Sequence, residues 1–66
     1  MNREQKLIFI KTQHPDLYKL LEEHLGDCFF ENVWGADTSE LDLYNAWIGF
    51  YCGKHGDEKL MDMLVI

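Results

Sequence analysis

Long hydrophobic runs are missing from this chain. The two longest, Leu7–Ile10 and Met63–Ile66, hold four residues each, against roughly 20 needed for a helix to cross a bilayer. Arg3, Glu4, Gln5 and Lys6 leave no room for the apolar stretch of a secretory signal, so the expected location is the cytoplasm. Cysteine occurs twice. That is too seldom for a disulfide framework, and in a reducing compartment both residues read as thiols. Basic residues are scarce: six Lys and Arg stand against twelve Asp and Glu, a formal charge of −6. Such a chain is poorly suited to a nucleic-acid backbone or an anionic membrane surface, both of which call for cations. Its field steers it toward cationic partners instead. Length is short as well. A chain of 66 residues hides only roughly 60% of its extended-chain surface. This leaves one small domain over residues 1–66 and no enclosure for a cofactor. No internal repeat or low-complexity segment is present, and no P-loop, GxGxxG, GxSxG or HExxH motif occurs.

What the chain does have is rings: four Phe, three Tyr and two Trp. Disordered chains are poor in such residues, so a packed core or a covered face is expected. Asn2 is placed to cap a first helix over Arg3 to Gln13, with Gln5 completing a capping box. Pro15 and Asp16 suit the first turn of a second helix. In it Leu17, Leu20, Leu21, His24 and Leu25 share one face, and Gly26 ends it. Residues Asp27 to Ala36 form a packed connector or a brief strand, broken at Gly35. Asp37, Thr38 and Ser39 are alternative caps for a third helix running to about Cys52, with Gly53 as its stop. Leu41, Tyr44, Ile48 and Tyr51 lie on one side of it, and Leu43, Trp47 and Phe50 on another, so the sequence predicts a central or sandwiched helix. Gly49 inside it suggests a close crossing. Asp57 caps a last helix, Glu58 to Leu64, and the apolar tail is expected to pack home. The expected fold is therefore mostly α, a compact domain of three or four helices. Its competitor is a small α+β fold with short strands at 6–12 and 61–66, because Leu-Ile-Phe-Ile suits a sheet equally well.

Charge is placed unevenly. No Lys or Arg occurs between Leu20 and Gly53, and that window holds Glu22, Glu23, Asp27, Glu31, Asp37, Glu40 and Asp42. Phe29, Phe30, Trp34, Tyr44, Trp47, Phe50 and Tyr51 are interleaved with them, more rings than one small core can hide. Carboxylates around exposed rings make a docking surface, in which the ring supplies central binding energy and the charges supply steering and register. Glu22, Glu23, Asp27, Glu31, Asp37, Glu40 and Asp42 are the steering residues, with Trp34 as the anchor. The partner this predicts is a protein with a basic surface. The chain would act as an inhibitor or regulator of a nucleic-acid-binding protein, of the kind small phage and mobile-element proteins supply, its carboxylates standing where phosphates otherwise lie.

Two other readings compete. His24 and Cys28 form H-x3-C, and Cys52 and His55 form C-x2-H, each pair straddling a helix end. Four such ligands could hold a tetrahedral Zn²⁺ and stabilise a small module, although the mixed order departs from the usual like-with-like pairing. A homodimer that buries the surplus rings against itself is the other alternative. Nucleophilic catalysis would need Cys28 or Cys52 beside His14, His24 or His55, in a chain with little wall for a substrate pocket. An enzyme is therefore not expected.

Overall fold

A computed structural model describes all 66 residues as a helical domain measuring 30 × 23 × 23 Å. Five α-helices follow in order: α1 Arg3–Gln13, α2 Pro15–Leu25, α3 Asp27–Glu31, α4 Thr38–His55 and α5 Glu58–Leu64. A 3-10 turn, Val33–Gly35, lies between α3 and α4. Helix α2 packs between α1 and α4, and α5 folds back along α4.

Local chemistry explains most of the boundaries. The Asn2 side chain accepts from the Gln5 amide at 2.8 Å, and the Gln5 side chain accepts from the Asn2 amide at 2.9 Å, a closed capping box. Pro15 opens α2, where its missing N–H costs nothing. Asp57 accepts from the Leu60 amide at 3.0 Å and starts α5. With both ends of the chain capped as helices, the α+β alternative is overturned. Residues 6–12 lie inside α1, most of 61–66 lies in α5 and its extended tail, and there is no strand.

Two boundaries differ from expectation. Asp27–Glu31 closes a full turn of α-helix where a connector or strand was expected, which brings the helix count to five. Gly26, at φ +78°, bends the chain between α2 and α3, and Phe29 pins the short turn by burial. Helix α4 also runs past Gly53 to His55. Its stop is Gly56, which takes the left-handed conformation at φ +68°, while the Asp57 amide reaches back to the Cys52 carbonyl at 2.9 Å. These are the bonds of a Schellman motif, which needs a residue free of the Cβ penalty at Gly56 and not at Gly53.

The core takes Leu7 and Ile10 from α1, Leu17 and Leu21 from α2, Phe29 from α3 and Val33 from the 3-10 turn. Tyr44, Ile48, Tyr51 and Cys52 come from α4, and Leu60 and Leu64 from α5. Burying each such aliphatic side chain contributes about 1.5–3 kcal/mol. The tail packs home as expected. Tyr44 donates to the Leu64 carbonyl at 2.8 Å, the Ile66 amide donates to Asn45 Oδ1 at 2.8 Å, and Lys6 donates to the Val65 carbonyl. One side of α4 departs from the sandwich expectation: Leu43 is 43% exposed and Phe50 59% exposed. No close crossing occurs at Gly49 either, since a Cβ there would meet only Met61 Sδ at 3.9 Å.

Candidate functional site

The stretch from the last turn of α2 to the second turn of α4 carries seven of the twelve acidic residues. Its shape follows from alternating anchors and free positions. Phe29 is buried, stacked on Tyr44 with ring centroids 5.6 Å apart and edge-on to Phe30 at 5.5 Å. Val33 is buried two positions after Glu31. Trp34, the next residue, is turned out and stands 62% exposed. Arg3 of α1 holds the backbone beneath it, donating to the Val33 carbonyl at 3.2 Å and the Trp34 carbonyl at 3.4 Å.

Glu22, Glu23, Asp27, Glu31, Asp37, Glu40 and Asp42 are all exposed. They are not equivalent. Asp37 is the N-cap of α4. It accepts from the Glu40 amide at 2.9 Å and the Ser39 hydroxyl at 2.7 Å. Those two bonds, the Glu40 amide foremost, hold its carboxyl below the usual aspartate range. Asp37 is therefore occupied by the fold, while the other carboxylates are free to meet solvent. The cation-free window of the sequence is also not cation-free in space, because Arg3 is brought against the base of Trp34.

His24, Cys28, Cys52 and His55 are not gathered into one group. No group of three or more His, Cys, Asp or Glu is placed to hold a metal ion. His24 lies flat on Trp47, with centroids 3.9 Å apart and planes 16° apart. His55 sits against the Tyr51 ring at 4.4 Å. Cys28 is exposed on α3, and Cys52 is 2% exposed in the core. Straddling a helix end fixes spacing along the chain but not the direction in which two distant turns point. Both cysteines are free thiols.

Sequence reasoning did not find three features of the surface. Tyr51, expected only as a core ring, donates to both carboxylate oxygens of Asp16, at 3.0 and 3.1 Å, with His14 Nδ1 3.5 Å away. An apolar groove of about 210 Å³ runs between Leu7, Ile8, Tyr18, Phe30 and Val33, with Glu4 and Lys11 at its rim. A second hollow of about 560 Å³ lies beside Cys52, Gly53 and the start of α5. Both are open to solvent. The exposure of Leu43 and Phe50 was present in the sequence as apolar spacing on α4, but which side a neighbour covers is a tertiary matter.

No helix is long and apolar enough to cross a membrane. Comparison with models of known protein families, with curated proteins and with solved structures finds no match to this chain.

Proposed function

We propose that this chain is a non-enzymatic protein-interaction module. It docks on a protein with a basic surface through Trp34 and the exposed carboxylates from Glu22 to Asp42. The observation that carries the reading is Trp34. A large indole left 62% exposed on a turn whose neighbours Phe29 and Val33 are buried is a rigid apolar anchor, of the type that dominates interface energetics. The acidic residues on either side of it along the chain add steering and suppress anionic competitors. A basic surface of matching size belongs to proteins that hold phosphate backbones, so inhibition or regulation of a nucleic-acid-binding protein is the specific role this favours.

The test uses the folded chain as bait in an extract of the cells that make it. Wild type is compared with Trp34→Ala and with the double reversal Glu23→Lys/Glu31→Lys. Asp37 is avoided because its reversal removes the cap of α4. A protein retained by wild type should be lost from both variants, and retention should fall steeply as salt shortens the Debye length from about 10 Å toward about 3 Å. Identical sets of proteins on all three baits would end the proposal.

A further inference from the structure

A cation belongs to the candidate site, although the site is defined by its carboxylates. Arg3 Nη1 donates to two successive carbonyls, Val33 at 3.2 Å and Trp34 at 3.4 Å, across 30 and 31 positions of chain. Arg3 is half-buried in the first turn of α1. That turn is closed by Asn2 and Gln5, so the place of Arg3 on its helix does not depend on the segment it holds. Little else ties that segment down. The Gly35 amide bonds to the Asn32 carbonyl at 2.8 Å, and Asn32 bonds back to Cys28. Both are contacts between neighbours in the chain. Val33 is buried and Ala36 packs partly on the core, but a Cβ on Gly35 would meet no atom within 4 Å. The Arg3 bonds are the only hydrogen bonds that residues 32–36 receive from any helix other than α3.

Charge and position pull in opposite directions at Arg3. Docking through carboxylates on a basic partner is driven by attraction between unlike charges, which a cation in the site opposes. A loose turn, on the other hand, loses conformational freedom when its indole docks, and holding the turn in advance removes that cost. We infer that Arg3 is a positioning residue for the Trp34 anchor: the site gives up one unit of steering charge to keep the indole preset. A guanidinium suits the task, because it stays charged and carries enough donors to meet adjacent carbonyls. The effect on docking rests on the interaction proposed above, whereas the hold on the turn does not.

The experiment compares wild type with Arg3→Met, which keeps helix propensity but has neither charge nor donor, and with Arg3→Lys. Backbone order parameters from nitrogen-15 relaxation should be about 0.85 at Val33, Trp34 and Gly35 in wild type and fall below about 0.6 in Arg3→Met. Leu21 and Tyr44, both fully buried, should keep theirs, whereas a general loss of structure would loosen them as well. Arg3→Lys retains a cation with donors and should stay near wild type. On immobilised poly-lysine, where charge alone acts, Arg3→Met should bind at least as well as wild type. To a protein that wild type captures and Trp34→Ala releases, Arg3→Met should bind about threefold to tenfold more weakly, despite its extra net negative charge. Equal or tighter binding there, or an equally rigid Trp34 in both chains, overturns the inference. Should wild type capture no such protein, the docking reading fails by itself, and the order parameters still decide whether Arg3 holds the anchor.

Discussion

The hydroxyl of Tyr51 lies 3.1 Å from Oδ1 and 3.0 Å from Oδ2 of Asp16, tying the last turns of α4 to the first turn of α2. Desolvation works to raise the Asp16 carboxyl, but the Tyr51 hydroxyl, local backbone N–H groups and the charge of His55 outweigh it and hold the carboxyl below its ordinary value. A folded-state value below the unfolded one gives stability that is complete above about pH 4, where unfolded Asp titrates, and is lost as pH falls through the folded value. Tyr51→Phe should lower stability by about 0.5–1.5 kcal/mol near neutral pH, with a smaller further loss below about pH 4 than wild type shows. Urea unfolding at a series of pH values measures both, and parallel acid profiles for the two proteins would refute the coupling.

At the alkaline end the governing contact is Tyr44 with the Leu64 carbonyl, 2.8 Å long and buried. Burial, with the neighbouring Cys52 adding to it, pushes the Tyr44 hydroxyl well above the usual tyrosine range. The sign is opposite to that of Asp16. A raised folded value gives stability that is complete below about pH 10 and declines as pH rises beyond it. Tyr44→Phe leaves a buried carbonyl without a donor and should cost about 1–3 kcal/mol. The variant should also lose stability less steeply than wild type above about pH 10. Denaturant midpoints between neutral pH and the alkaline limb decide this.

The glycine inside α4 and the one that stops it should respond in opposite directions to alanine. At Gly49 an added Cβ makes only an ordinary contact with Met61 Sδ at 3.9 Å, so Gly49→Ala should stabilise the chain by up to about 1 kcal/mol through helix propensity. Gly56 sits at φ +68°, and Gly56→Ala should destabilise by about 1–2 kcal/mol because a Cβ there meets the following carbonyl. Thermal unfolding of the two variants side by side is sufficient. A loss at Gly49 would show that Met61 cannot accommodate the methyl.

The features legible in the sequence were those decided within a few residues. Asn2 with Gln5 and Asp57 before Glu58 satisfy backbone groups locally, and Pro15 and Gly26 suit a helix start and a helix end, so the boundaries at those points follow from neighbouring residues. Helix ends decided by backbone conformation were less legible. Gly53 and Gly56 are equally good glycines, and only the left-handed turn closed by the Asp57 amide distinguishes them. Features created between distant segments were not legible. Arg3 reaches Trp34 across 31 positions, and the four spaced His and Cys residues point into different surroundings because spacing does not encode convergence. Surplus rings were countable from composition, but the choice of Trp34 and Phe50 as the exposed ones depended on which helix faces found neighbours.

The two thiols separate the buried from the open part of the same molecule and supply the last prediction. Cys52 is 2% exposed between α4 and α5, and burial first, then the charge of Asp57, pushes its thiol above the ordinary value. The thiolate is the reacting form, so Cys52 is disfavoured twice, by access and by ionisation. Cys28 is exposed on the single turn of α3. A disulfide-forming thiol reagent at neutral pH should therefore modify one thiol per chain quickly. The second should react at least about a hundredfold more slowly, at a rate that tracks opening of the core. Cys28→Ser should abolish the fast phase, and denaturant should merge the two phases. Two equally fast thiols in the folded chain would mean that the α4–α5 contact opens far more readily than its buried Leu60 and Leu64 imply.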